Sequence, residues 1–437
     1  MKAIYVTQQE PSAIGTGGAH RAYQIAYDLG RAVGADNVQV ISFPQWCRTV
    51  QSVPANKLSA GHISRFLQEV RHWGRSVPLF YSIVTSWRRS DLHGKLVNLG
   101  ERLPFLLAES PLDQFVGTSW VTRGLCPPEQ GTCEIPAEFV SHYADVVRDM
   151  TQPAVCLIEH ACFAGLLPIN AKCGIPTVCC PQNLDSLATV APLNTADTRK
   201  IYSAALCFAD EYEILSRCRA RLFISKVEVG LVGGLGLSSI YYPYLPVGAI
   251  RDRLGEIRSR RRAQGIEPGL FLLCGTASWG PIGASVSWFV ENARRFGLPP
   301  GVKVVIAGNR TDEILPQGVS VPGIELRGWL PQNDLDDLMV CAEAMLVPQR
   351  SGLGASTRLS EAACAGIPTL TSRHAALALD LPPGVRTVDD DWAAWCQALD
   401  SGSWKDLCSV QEDYETWERQ QSGLPASFLK DIVAGGS

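Results

Sequence analysis

Two α/β domains, each a parallel sheet covered by helices, are the fold this sequence predicts. Three observations carry that expectation. Short apolar runs alternate with longer stretches of helical periodicity along most of the chain, which is the pattern of βαβ units. The chain has 437 residues, more than one hydrophobic core ordinarily supports. Glycine turns follow a strand and precede a helix in both halves, at Gly15, Gly17 and Gly18 and again at Gly352 and Gly354.

The first half supplies strands at 3–7, 38–42, 115–117, 155–159, 177–181 and 220–225, mostly runs of Val, Ile, Leu, Phe and Cys. A helix over 19–33 follows the first, with apolar residues at helical spacing. Residues 44–110 are less regular and rich in Trp and Arg, and read as helices and loops. The run Tyr241-Tyr-Pro-Tyr-Leu-Pro246 marks a linker at 241–248. The glycine-rich stretch from Gly230 reads as turn and linker, because no strand–Gly-x-Gly-x-x-Gly–helix context surrounds it. The second half repeats the alternation, with strands at 269–274, 303–307, 324–327, 344–347 and 368–371 and helices at 282–296, 333–341 and 357–365. The tail, 404–433, reads as helix. The expected divisions are 1–243, 244–405 and a helical tail at 406–437.

Composition removes several classes of function. Hydrophobic residues are 46% and charged residues 19%, which argues against disorder. A net charge of −4 offers no electrostatic footprint for nucleic acid. No apolar run approaches the ~20 residues of a membrane-spanning helix. The cluster Arg258-Ser-Arg-Arg-Arg262 reads as a solvated helix end, so membrane association is peripheral at most. The 15 cysteines lie mostly in apolar runs, and no secretion signal opens the chain. Reduced thiols and a cytoplasmic location are the expectation. Cys126 and Cys133 are spaced for neither a zinc knuckle nor a redox pair. No Asp-x-Asp element stands at a strand end, and Asp389-Asp390-Asp391 reads as a solvated loop. Neither a metal nor a cofactor is expected.

The most informative stretch is Gly352-Leu-Gly-Ala-Ser-Thr-Arg358-Leu-Ser-Glu361. A glycine turn leading into a helix start bares backbone N–H groups, an anion site strengthened by the helix dipole. Arg358 adds a cation on the first turn. Glu361 lies one turn deeper on the same side, where a carboxylate can hold a pair of sugar hydroxyls. Diphosphate outside and ribose inside is how a sugar nucleotide would lie.

These residues resemble the GT-B glycosyltransferases, in particular the GT4-like (glycosyl transferases group 1) retaining enzymes. The resemblance rests on Gly352, Gly354, Arg358, Glu361 and Ala362. It implies two Rossmann-like domains facing across a cleft, with the donor on the C-terminal one and a last helix crossing back. Many members carry a second acidic residue by the glycine turn; here Ser351 and Leu353 stand at the candidate positions. Many also neutralise diphosphate with an Arg and a Lys after the strand opening the second domain. This chain has neither between Phe271 and Trp288.

On this reading the donor site comprises Glu361, Gly352, Gly354, Ala355, Ser356, Arg350, Gly17, Gly18, Thr276 and Ser278. Arg350 follows a strand and suits a phosphate contact. Gly17 and Gly18 admit close approach of backbone N–H groups. Glu159 and His160 end an apolar strand, where open sheets bind ligands. Glu159 and His20 are assigned to the acceptor side, and His160 with Arg358 to the chemistry, although His160 reads equally as a structural residue capping the next helix. Arg21 reads equally as a cleft residue or a solvated one, and Trp279 as a base-stacking or a core residue. The function expected is transfer of a sugar from a nucleotide-sugar donor to a sugar, lipid or other small-molecule acceptor, with retention and without metal. The alternatives are a GT-B-like binding or partner subunit with a degraded donor site, and a nucleotide-sugar epimerase.

Overall fold

The computed structural model describes residues 1–42, 137–149, 154–188, 208–209, 211–277, 280–402, 404–407, 411–421 and 426–434. The expected strand at 115–117, all of 44–110, and Cys126, Cys133, Ser278 and Trp279 lie outside the described residues.

The first sheet has six parallel strands in the order β2-β1-β3-β4-β5-β6. They are β1 (Lys2–Thr7), β2 (Val38–Ser42), β3 (Ala154–Ile158), β4 (Thr177–Cys179), β5 (Ala220–Phe223) and β6 (Ile240–Tyr241). Helix α1 (Gly17–Val33) links β1 to β2, α2 (Ala137–Arg148) precedes β3, α3 (Leu167–Lys172) precedes β4, and α4 (Asp185–Ala188) and α5 (Lys226–Gly234) flank β5. Both faces of the sheet are covered, so its strands read as unbroken apolar runs. Ile4 and Val6 pack on one face with Phe163 and Phe223. Ala3 and Tyr5 pack on the other with Ile25 and Leu29 of α1.

Helix α6 (Gly248–Gln264) opens the second unit. Its sheet is also all parallel, in the order β12-β11-β10-β7-β8-β9. The strands are β7 (Leu270–Cys274), β8 (Lys303–Ala307), β9 (Ile324–Gly328), β10 (Ala344–Val347), β11 (Thr369–Ser372) and β12 (Val385–Val388). Between them run α7 (Gly280–Phe296), α8 (Gln332–Cys341), α9 (Thr357–Cys364), α10 (Arg373–Ala376) and α11 (Trp392–Ser401). Read from β9, the strands follow the Rossmann order, with a switch point between β7 and β10. The first sheet reverses between β1 and β3.

The tail differs from the single helix expected. It forms α12 (Gln411–Gln421) and α13 (Ala426–Ala434). Tyr414 and Trp417 of α12 pack into the second unit. Leu429 and Ile432 of α13 pack beside Ala3, Tyr5 and Ala22 of the first, so the chain returns across the molecule.

Two further expectations are corrected. The stretch from Gly230 is not a turn: Gly230, Gly233 and Gly234 lie in α5. Val232 is buried in the first-sheet core and Val229 and Leu231 pack against it, so burial overrides the poor helix propensity of glycine. The arginine cluster is not a solvated helix end. Arg261 donates to the carbonyls of Met339, Val340 and Ala342, satisfying the carboxyl end of α8. Arg258 donates to the Ala363 carbonyl at 2.8 Å and lies over the Tyr414 ring. Among the described residues no helix is long and apolar enough to cross a membrane.

Candidate functional site

The two switch points face each other, and the predicted residues gather there. Loops after β1 and β3 carry Gly17, Gly18, His20, Glu159 and His160; loops after β7 and β10 carry Thr276 and the Arg350–Glu361 motif. Glycines allow the halves to meet. A Cβ on Gly17 would stand 2.5 Å from Thr357 Oγ1, and one on Gly354 only 1.8 Å from Asn183 Oδ1. A side chain at either position would push the domains apart. Gly18 is crowded by Gln9 in the same way, at 2.5 Å.

The glycine turn at Gly352–Gly354 is held open by its own geometry. Gly352 has φ +91°, a left-handed conformation that favours glycine. His374 of α10 donates from Nε2 to the Gly352 carbonyl at 2.6 Å. Gln349 Nε2 donates to the Ser351 carbonyl at 3.0 Å. Ser356 is the N-cap of α9, but its side chain makes no capping bond. The buried hydroxyl oxygens of Ser351 and Ser356 have no partner among the described residues. Ala355 between them packs against the second-domain core.

Arg358 turns beneath the loop after β7. Its Nη2 would lie 3.3 Å from a Cβ on Gly275. Burial lowers its pKa, partly countered by Cys274 and Glu361. Among the described residues it makes no hydrogen bond or ion pair. Thr276, half-buried, sits on that same loop. The loop is fixed by Gly275 N–H to the Ala307 carbonyl and Ala277 N–H to the Asn309 carbonyl, each 2.9 Å.

Glu361 is claimed from across the cleft. Its Oε1 accepts from His20 Nδ1 at 2.7 Å and from Tyr244 Oη at 3.0 Å. Burial pushes its pKa up, but His20, Arg253 and Tyr244 outweigh that and hold it below the ordinary value. His20 thus turns to Glu361 of the second domain, which departs from its expected acceptor-side position. Its neighbour Arg21 is a buried anchor of the linker. It donates to the Tyr242 carbonyl at 2.6 Å and the Pro243 carbonyl at 2.9 Å, and stacks on the Tyr242 ring.

Glu159 is a second correction. It is fully buried and accepts from Tyr5 Oη (3.1 Å), Thr7 Oγ1 (2.5 Å), the Gln8 N–H (2.8 Å) and Gln182 Nε2 (2.6 Å). Four donors fill a carboxylate's acceptor sites, so Glu159 ties β1, β3 and the loop after β4 together rather than facing an acceptor. His160 is buried at the end of β3, and its side chain makes no capping bond to the turn that follows. Arg350 is exposed, and its guanidinium lies 4.5 Å from the Trp288 ring centroid of α7, a contact that leaves its N–H groups free. Asp391 caps α11 through the Ala394 N–H, and Asp389 pairs with Arg373.

The residues missed by sequence reasoning are Tyr244, Arg253 and His374. Tyr244 was legible only as part of a linker. His374 and Arg253 carry no local signal, because their partners are distant in sequence.

Solved structures share this architecture. The HepE protein of Anabaena in complex with UDP and glucose is 10% identical, with 100% of this chain and 98% of that chain covered and a TM-score of 0.50. A UDP-forming α,α-trehalose-phosphate synthase of Burkholderia vietnamiensis is 10% identical, with 99% and 96% covered and a TM-score of 0.53. This chain has the GT-B fold of glycosyltransferases. No family model matches the chain, and no curated protein does. The GT-B frame puts the two switch points on opposite walls of one interdomain cleft, with Arg358 and Glu361 on one wall and Gly17 and His20 on the other.

Proposed function

We propose that this protein transfers a sugar from a nucleotide-sugar donor to a small-molecule acceptor, as a retaining, GT4-like, metal-independent glycosyltransferase. One observation carries the reading: a half-buried cation, Arg358, with no hydrogen bond or ion pair among the described residues, stands where two helix N-termini converge. Gly17 and Thr357 begin α1 and α9, and neither helix has an acidic residue in its first turn. Two positive dipole ends and a half-buried guanidinium together favour an anion beside them. The unpartnered hydroxyls of Ser351 and Ser356 add to the same demand. A diphosphate answers all of them.

The chemistry follows from that arrangement. Negative charge builds on the departing diphosphate, and Arg358 with the α9 N–H groups stabilises it without a metal. Glu361 lies one turn deeper and would hold a ribose hydroxyl. Trp329 is 70% exposed at the end of β9. The Gly275, Gly308 and Gly328 loops touch in sequence, so Trp329 stands about two strand spacings, roughly 10 Å, from the Arg358 loop. That is the reach of a nucleoside, and its indole offers a face for the base.

A second reading is a nucleotide-binding subunit without transferase activity, favoured by Ser351 and Leu353 at positions where an acidic residue would touch the transferred sugar. Thermal-shift measurement against UDP-, GDP-, ADP- and dTDP-sugars tests both, because a ligand at 100 times its Kd adds about 2.7 kcal/mol. Binding with release of free sugar, persisting in EDTA, supports the transferase. Binding without turnover supports the second reading. No stabilisation by any of the four contradicts both.

A further inference from the structure

His20 lies 341 positions from Glu361 in sequence, yet its Nδ1 is 2.7 Å from Glu361 Oε1. Its side chain is 5% exposed. The second ring nitrogen, Nε2, is buried and has no hydrogen-bond partner among the described residues. A contact whose only purpose was to join the domains would be satisfied by Nδ1. It would not require a second buried polar nitrogen to be left empty, which is costly. A histidine whose Nδ1 is fixed by a carboxylate presents Nε2 on its far side, with tautomer and ring orientation set by the carboxylate.

The charges around the ring decide what Nε2 can meet. Glu361 faces it from α9, and Glu361 is in turn reached by Tyr244 from the linker and influenced by Arg253 of α6 and Arg358 of its own helix. Gly17, three residues earlier on the same helix, touches Thr357 at the start of α9. His20 therefore sits on the first turn of α1, where the two helix N-termini converge, with Nε2 buried and unpartnered among the described residues. With Nδ1–H given to Glu361, a neutral ring offers a lone pair at Nε2 and a protonated ring offers N–H. Only the protonated form suits an anion there.

We propose that His20 and Glu361 form a carboxylate–histidine dyad, assembled from both domains, that holds an Nε2–H against the diphosphate of the donor. This rests on the nucleotide-sugar reading above. On binding, the imidazole takes one proton from solvent and no covalent bond changes. As the bond between sugar and diphosphate breaks, the Nε2–H stabilises the charge gained by the departing oxygen, and the proton stays on the ring. The dyad exists only while α1 and α9 are in contact, so the donor site is complete only with both walls of the cleft together.

Isothermal titration with UDP tests this, with GDP and ADP as parallel probes. It is run at pH 7.5 in two buffers of different ionisation enthalpy, so that proton uptake is read directly. The wild type takes up protons on binding. In His20→Gln that uptake disappears and affinity falls roughly tenfold, the loss expected for one charge-assisted hydrogen bond. Glu361→Gln also loses the uptake, because an amide no longer favours the imidazolium. Binding without uptake in the wild type, or uptake that survives His20→Gln, overturns the dyad and leaves the nucleotide site standing. Failure of the wild type to bind any of the three removes the nucleotide reading and the dyad together. Should the variants misfold, the 15N resonance of His20 Nε2 in the wild type decides: it moves to the protonated range with UDP, and an unmoved resonance overturns the proposal.

Discussion

Glu159 at the first switch point and Glu361 at the second are both acidic residues withdrawn from solvent, but their surroundings differ. Glu159 takes four donors, all from its own domain, two on each oxygen. Glu361 takes two, both on Oε1 and both from outside its own helix. The first is saturated by local chain and fixes the shape of a loop. The second joins two walls of a cleft, and its other oxygen makes no bond among the described residues. A carboxylate at the edge of a parallel sheet is therefore not enough to mark a ligand contact; what matters is whether its acceptor sites are already filled.

The sharpest way to break this contrast is to truncate each residue. Glu159→Ala leaves a buried cluster of donors without an acceptor, and a loss above about 3 kcal/mol is expected. Glu361→Ala removes two bonds at a cleft edge and should cost clearly less. Urea denaturation of both variants measures this, and equal midpoints would erase the distinction.

Nucleotide affinity should show the reverse. Glu361→Ala is expected to weaken UDP binding by roughly tenfold to a hundredfold, the cost of about 1.5–3 kcal/mol for a charged hydrogen bond. Unchanged affinity in a folded variant would remove Glu361 from the site.

Acid sharpens the comparison further. The folded pKa of Glu361 is depressed below its ordinary value by His20, Arg253 and Tyr244 acting against burial. Its contribution to stability is thus fully present above the ordinary glutamate value of about 4.3. It is lost as pH falls through the lower folded value. Wild type and Glu361→Gln should converge in stability over that window, followed by denaturation at stepped pH. A gap that stays constant down to the lowest pH would contradict the assignment.

The smallest expected effect is at Trp329. Trp329→Ala should leave stability within about 0.5 kcal/mol, as for other exposed positions. It should weaken uridine and UDP alike by on the order of 1 kcal/mol through lost stacking. A loss confined to UDP would place Trp329 at the phosphates instead.

Much of the fold was legible, and for a physical reason. Strands buried on both faces are unbroken apolar runs, so those at 303–307 and 344–347 coincide with β8 and β10. Strand β12 escaped because it is an edge strand whose Arg386 and Thr387 interrupt the pattern. Helix α5 escaped because its support is tertiary, through Val229 and Val232, while its glycines argued for a turn. The site divided in the same manner. Arg358 and Glu361 were visible because one turn of helix fixes their spacing. The partners of Glu361 and the anchoring of Arg21 by the linker were not, since each joins residues more than 100 positions apart. The stacking of Arg350 on Trp288 was not legible either, since the two lie on different elements.

The central claim is that Arg358, half-buried and without a hydrogen bond or ion pair among the described residues, marks a diphosphate site, and calorimetric titration of wild type and Arg358→Ala with UDP and uridine tests it most directly. Removing a half-buried cation that makes no hydrogen bond or ion pair among the described residues should change the stability of the unliganded protein little, by about 0.5 kcal/mol or less. UDP affinity should fall by roughly tenfold to a hundredfold, in line with about 1.5–3 kcal/mol for a bond to a charged group, while uridine affinity holds. Equal losses for UDP and uridine, or no loss for either, would contradict the account.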